Sequence, residues 1–223
     1  MAYGKSAGND GLLNVEFYKC TTEIIVPFLC RLFKNILTTG KFPDSWGEII
    51  VCPIYKAGLQ YDPNKYRGIS ITTTMYTIFS NIINQRLYSW AEDNKLDECQ
   101  AGLRHSYSVI DNVFCLQAMA QKYLGRQGGH FNCLYVDFVK SFDTIGHHKL
   151  FESLQNKGVN GNFLKVLLKM YANLKSCVKI SSNCATSYFP CNIGTRQGDI
   201  SSTTIVSLFI DQLSDLIRQN CES

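Results

Sequence analysis

A carboxylate at the end of a short apolar run is the first group in this sequence with the makings of chemistry. Residues Asn132 to Phe138 read Asn-Cys-Leu-Tyr-Val-Asp-Phe, which predicts a buried strand that delivers Asp137 at its end. A carboxylate held in that way suits Mg²⁺, which takes hard oxygen donors in near-octahedral geometry. Two such ions steady the attacking and leaving oxygens of a phosphoryl transfer. The plainer reading of Tyr135 to Asp143 is an Asp that caps the following turn, helped by Lys140.

The elements that must position Asp137 follow from periodicity. Leu12 to Leu37 is apolar at helical spacing (Leu13, Phe17, Ile24, Phe28, Leu32, Ile36), and Pro27 predicts a kink or two shorter helices. Glu48 to Tyr55 reads as a strand and Lys56 to Gly68 as a loop with Gly58, Pro63 and Asn64. Thr73 to Asn94 predicts a helix with Met75, Ile78, Phe79, Ile82, Ile83, Leu87 and Trp90 on one broad face. Ser106 to Leu124 predicts another, with Val109, Val113, Leu116 and Met119 turned inward. Short helices near His148–Asn156 and Asn162–Tyr171 come next, then strands at Val178–Ile180 and Tyr188–Cys191 that could pair. Gly194 to Ser202 is a loop, and Thr203 to Arg218 a last helix. Irregular alternation of helices with a few strands makes the fold class α+β.

Composition bounds the rest. The chain of 223 residues is 45% hydrophobic and 18% charged, which is globular rather than disordered. A net charge of +4 permits a nucleic-acid partner without requiring one. The ten cysteines lie mostly inside apolar segments, and no apolar leader opens the chain, so they read as reduced core residues of an intracellular protein without disulfides. No Cys-x-x-Cys pair supports a structural zinc site. No apolar run reaches the ~20 residues of a membrane span.

Five blocks, in order, change the weight given to Asp137. They are Lys5-Ser6-Ala7-Gly8-Asn9-Asp10-Gly11; Pro53-Ile54-Tyr55-Lys56 with Tyr66-Arg67-Gly68-Ile69-Ser70; Gln100-Ala101-Gly102-Leu103-Arg104; Asp137-Phe138-Val139-Lys140-Ser141-Phe142-Asp143; and Gly194-Thr195-Arg196-Gln197-Gly198. Together they cover nearly the whole chain. The sequence resembles the reverse transcriptase domain of non-LTR, LINE-like retrotransposons. The resemblance implies a right-hand polymerase fold, with fingers and part of the palm over about residues 1–130 and palm over about 131–223. It implies RNA-templated DNA synthesis with Mg²⁺, an RNA template, a DNA primer and deoxynucleoside triphosphates.

By position, Asp137 matches the first metal carboxylate, and the carbonyl of Phe138 a second donor. Phe142 matches the aromatic under the incoming sugar. Gln197 and Gly198 match the turn at the nascent base pair. Arg67 matches the fingers residue that grips the triphosphate, with Lys56 as helper; Lys65 and Arg104 are expected to face nucleic acid. A guanidinium fork suits phosphate oxygens. Asp143 is expected to stabilise local structure.

The sequence also departs from the pattern. Ser141 and Leu103 stand where the family has Ala and Phe, and Ser201-Ser202-Thr203 where it has Leu-Ser-Pro. The aromatic-Ala-Asp-Asp hairpin that supplies two more carboxylates is not present, and the 223 residues hold no Asp-Asp pair. The palm sheet is therefore expected to be incomplete, and these residues alone are expected not to polymerise DNA. Two other readings stay open: a non-catalytic RNA- or DNA-binding module, and a relic of a mobile element. Gly4-Lys5-Ser6 has the tail of a phosphate-binding loop, but no strand precedes it.

Overall fold

The computed structural model describes residues 8–11, 22–93, 96–181 and 184–221. Eight helices and five strands are described. In chain order they are α1 (Thr22–Thr39), β1 (Glu48–Tyr55), β2 (Tyr66–Ile71), α2 (Thr74–Glu92), α3 (Val109–Leu124), the single turn α4 (Ser141–Thr144), α5 (His147–Asn156), α6 (Gly161–Ala172), β3 (Lys175–Ser181), β4 (Cys184–Ala185), β5 (Phe189–Pro190), α7 (Ile200–Ile210) and α8 (Gln212–Cys221). The α+β class holds.

The core forms around α2. Thr73 caps this helix by accepting from Tyr76 N (3.3 Å), and Asp10 accepts from Thr74 N (2.9 Å), so two otherwise open amides are satisfied. Tyr76, Phe79, Ile83 and Leu87 then fall on one stripe, and all are buried. They meet Ile205 and Leu208 of α7, Leu150 and Leu154 of α5, Val166, Leu167 and Met170 of α6, and Phe33 and Ile36 of α1. Each such side chain is worth about 1.5–3 kcal/mol when fully buried. Phe33, Phe42, Trp46 and Phe79 meet at tilted or edge-on angles, the geometry that ring quadrupoles favour.

The sheet is mixed. β1 pairs antiparallel with β2, from Ile50↔Ile71 to Tyr55↔Tyr66. Its other edge pairs parallel with β3, from Glu48↔Lys175 to Val51↔Val178. The far edge of β3 holds both β4 and β5: Phe189 and Pro190 pair with Ser176 and Lys175, while Lys179, inside the segment expected to meet them, pairs with Ala185 of β4.

Several expectations need correcting. Residues 132–138 are not a strand: they are irregular and exposed, with Leu134 at 89% and Tyr135 at 79%. A strand needs a neighbour for its backbone N–H and C=O groups, and among the described residues no strand of the sheet pairs with this segment. For a related reason α3 forms as expected, with a capping box between Ser108 and Asp111, but buries none of its residues. Val109, Val113 and Met119 are exposed, and no other described element packs extensively against this helix. Helix α1 runs unbroken through Pro27, and it buries Leu29, Phe33 and Ile36 while Ile24 and Phe28 face out. Residues 12–21 lie outside the described residues. The last helix divides at Asp211 into α7 and α8. Cys30, Cys52, Cys99, Cys115, Cys133, Cys177, Cys184 and Cys191 are free, yet of these only Cys177 is buried, so the core role expected for them does not hold. Among the described residues no helix is long and apolar enough to cross a membrane.

Candidate nucleotide and nucleic-acid site

The β1–β2 hairpin presents the cations of the second block, Lys56, Lys65 and Arg67. Beyond Tyr55↔Tyr66, Lys56 N donates to Lys65 O (2.9 Å), which sets Lys56 opposite Lys65 with Arg67 two residues further along β2. The connecting loop is tied down by two phenols: Tyr55 donates to Gly58 O (2.5 Å) and Tyr66 to Gln60 O (2.7 Å). Lys56, Lys65 and Arg67 are all exposed. Among the described residues none of the three has a carboxylate partner.

The Gly-Thr-Arg-Gln-Gly turn docks on two other segments. Gly194 (φ +80°) lies so close to Asp143 that an added Cβ would sit 2.8 Å from its carbonyl oxygen. Gly198 (φ +105°) approaches Ser70 in the same way, at 3.3 Å. Only glycine meets both demands without strain. Thr195 N donates to Phe142 O (2.6 Å), Gly194 N to Ile145 O (2.8 Å), and Ser70 N to Gln197 O (2.8 Å). His147 Nε2 lies 2.7 Å from Gly194 O.

These links close a circuit. Asn64 runs through Arg67 to Ser70 along β2. Ser70 bonds Gln197, whose Nε2 donates to Asp143 Oδ1 (2.6 Å). Asp143 leads back through the chain to Lys140, whose Nζ donates to Asn64 Oδ1 (2.8 Å). The structure thereby gathers Lys56, Lys65, Arg67, Phe142, Gln197 and Gly198 around one circuit. Asp137 and Phe138 lie just before Lys140, both exposed. Phe142 is half-buried and packs against the core.

Arg104 stands elsewhere. Its guanidinium forks onto Glu92 (2.7 and 3.0 Å), donates to the carbonyls of Asp97 and Gln100, and lies 3.9 Å over the Tyr107 ring. The hydrogen bond from Arg104 holds the Glu92 carboxyl below its usual range.

Beneath the Gln197-Gly198 turn lies a buried polar core that the sequence reading missed. Arg196 and Asp199, three residues apart, are both buried, with Nη1 3.6 Å from Oδ2. Arg196 lies 4.2 Å over the Tyr76 ring and donates to Met170 O (2.5 Å). Asp199 accepts from Tyr76 Oη, Ser80 Oγ (2.5 Å) and Ser201 Oγ (3.0 Å), and caps α7 through Ser201 N. Burial pushes the Arg196 pKa down to about 10, against the pull of Asp199. Two buried posts fix both ends of the turn and leave Gly198 exposed and Gln197 half-buried between them. The legible signal was an opposite-charge pair at i, i+3 astride Gln-Gly.

The donors do not fit a dinuclear magnesium centre. Asp137 is a single exposed carboxylate, and among the described residues no three carboxylate, imidazole or thiol side chains come together to hold a metal.

The model of the reverse transcriptase (RNA-dependent DNA polymerase) family matches residues 54–223, and the chain belongs to that family. It is 27% identical over 98% of its length to the transposon TX1 uncharacterized 149 kDa protein of Xenopus laevis, of which it covers 16%. It is 23% identical, over 92% of the chain and 28% of the relative, to the Pol polyprotein of the type-1 retrotransposable element R2 of Popillia japonica. It is 22% identical, over 94% of the chain and 23% of the relative, to the RNA-directed DNA polymerase from mobile element jockey of Drosophila melanogaster. Each relative is named for a transposable or mobile element. The chain spans under a third of the length of each of these relatives.

Proposed function

We propose that this chain is the fingers and first palm portion of a retrotransposon RNA-directed DNA polymerase, and that the circuit from Asn64 to Lys140 frames its nucleotide site. The carrying observation is that two side-chain bonds and one backbone bond tie three separated motifs into one circuit beside three cations that have no carboxylate partner among the described residues. Arg67, with Lys56, binds the triphosphate of an incoming deoxynucleotide. Phe142 lies under the sugar, and Gln197 and Gly198 meet the templating base pair. Lys65 faces the RNA–DNA duplex. Arg104 holds its own connection rather than a phosphate. The polymerase works intracellularly. Asp137 is one carboxylate of the catalytic set, and the 223 residues by themselves bind nucleotide and duplex without completing the chemical step.

Affinity for an RNA–DNA duplex, measured from 50 to 200 mM salt, tests this reading. Contacts to phosphate release counterions, so affinity is expected to fall as a power of salt concentration, and Lys65→Ala to lower that slope by about one. Salt-independent binding, or none, would sink the proposal.

A further inference from the structure

We propose that Lys140 is a ligand of the polyphosphate in the same site, with Asn64 holding its ammonium until the anion arrives; this rests on the nucleotide reading above. The backbone at Lys140 is left-handed (φ 51°, ψ 45°), a conformation that disfavours any residue with a Cβ. It is over-determined there. Asp143 N (2.8 Å), Thr144 N (3.1 Å) and Thr144 Oγ1 (3.1 Å) all donate to its carbonyl. Strain kept in place by surrounding bonds is typical of positions that serve a site.

What the strain achieves is direction. It sends the ammonium across to the 62–65 turn, next to Lys65 and the Lys56 and Arg67 positions, where Nζ meets Asn64 Oδ1 at 2.8 Å. That partner is a neutral amide, oriented by its own Nδ2, which donates to Asp62 Oδ1 (3.1 Å). Asp62 is the acid on this turn, and it is engaged in capping, since it also accepts from Asn64 N (2.9 Å). Four exposed cations thus share one end of the hairpin without a carboxylate partner among the described residues. Like charges placed together repel, and a polyphosphate is the ligand whose charge density matches them. An ammonium released from an amide oxygen to a phosphate oxygen exchanges a weaker acceptor for a charged one.

The whole chain, titrated with inorganic tripolyphosphate in metal-free buffer, separates the outcomes. Lys140→Gln is expected to weaken binding roughly tenfold, as loss of a charge-assisted bond does. Lys140→Gly suits the left-handed backbone, so it is expected to fold at least as well and to lose the same affinity. Asn64→Ala frees the ammonium and is expected to leave affinity intact or raise it. If Asn64→Ala weakens binding as much as Lys140→Gln, Lys140 acts only as a tie between segments, and the inference falls. If Arg67→Ala weakens binding but both Lys140 variants bind normally, the inference again falls and the nucleotide reading stands. If Arg67→Ala also binds normally, that reading falls first.

Discussion

Replacing Asp199 with Asn tests whether Arg196 is a charge kept in the core by a single counter-charge. The amide keeps the shape and the capping ability of the carboxylate, so α7 retains its N-terminal partner. What it removes is the negative charge 3.6 Å from Arg196 Nη1. Breaking one half of a buried pair costs about 3–5 kcal/mol, because the other half stays buried and uncompensated. The lower end, about 3 kcal/mol, is expected here, since Met170 O and the Tyr76 ring still support the guanidinium. Arg196→Met leaves Asp199 with its hydroxyl donors, and is expected to cost less than Asp199→Asn. The double variant Arg196→Met/Asp199→Asn, with no charge left in the core, is expected to be more stable than Asp199→Asn alone by at least about 1 kcal/mol, following the general behaviour of buried pairs replaced together. Urea unfolding, read at the midpoint with a constant slope, measures all three. Additive losses in the double variant would refute the argument, for they would mean that the two residues do not depend on each other.

Two further outcomes follow from other parts of the molecule. Arg104 depresses the Glu92 carboxyl, and the Asp97 carboxyl is lowered by the Cys99 backbone amide first and by Arg218 as well. A carboxyl depressed on folding contributes stability above its unfolded pKa, and that contribution is lost as pH falls through the folded value. Stability should therefore hold above about pH 5 and decline below about pH 4, and a pH series of melts on Glu92→Gln/Asp97→Asn should show a shallower decline. On α3, Ile110 and Phe114 are 75% and 70% exposed. Changing both to Lys should shift unfolding by no more than about 0.5 kcal/mol per site, as at other surface positions, while raising the concentration at which the chain stays monomeric by gel filtration; a loss of several kcal/mol would mean that these side chains are core.

Legibility differed by the kind of signal. Local rules carried α2, α5 and α6, because their apolar spacing agrees with their packing, and α2 has in addition the Thr73 cap. The same rules gave the right period but the wrong face for α1: Phe28 and Phe33 are both apolar, and only the neighbouring α6 and aromatic cluster select Phe33. For residues 132–138 and for α3, apolar pattern predicted burial, yet burial depends on a partner surface, and a single segment does not specify one. The parallel match of β1 to β3 joins segments too far apart for periodicity to see. At the site, the motifs named Arg67, Gln197 and Gly198, while the links through Asn64, Lys140 and Asp143, and the Arg196–Asp199 core beneath, emerge only once the turn is folded onto β2.

That parallel match also sets an order of events during synthesis. Glu48 pairs with Lys175, 127 positions later in the chain. The β1–β2 hairpin can close as soon as Ile71 is made, but one edge of β1 then stays open until β3 emerges. At 5–20 residues per second that interval is on the order of 5–20 s, long against the microseconds a hairpin needs to form. For that time Ile49 and Ile50 sit beside a row of unpaired backbone groups, open to any passing strand. The nascent chain is thus most vulnerable to mispairing in the window between the completion of β2 and the emergence of β3, and slowing translation over residues 72–174 would be expected to lower the yield of folded protein rather than raise it.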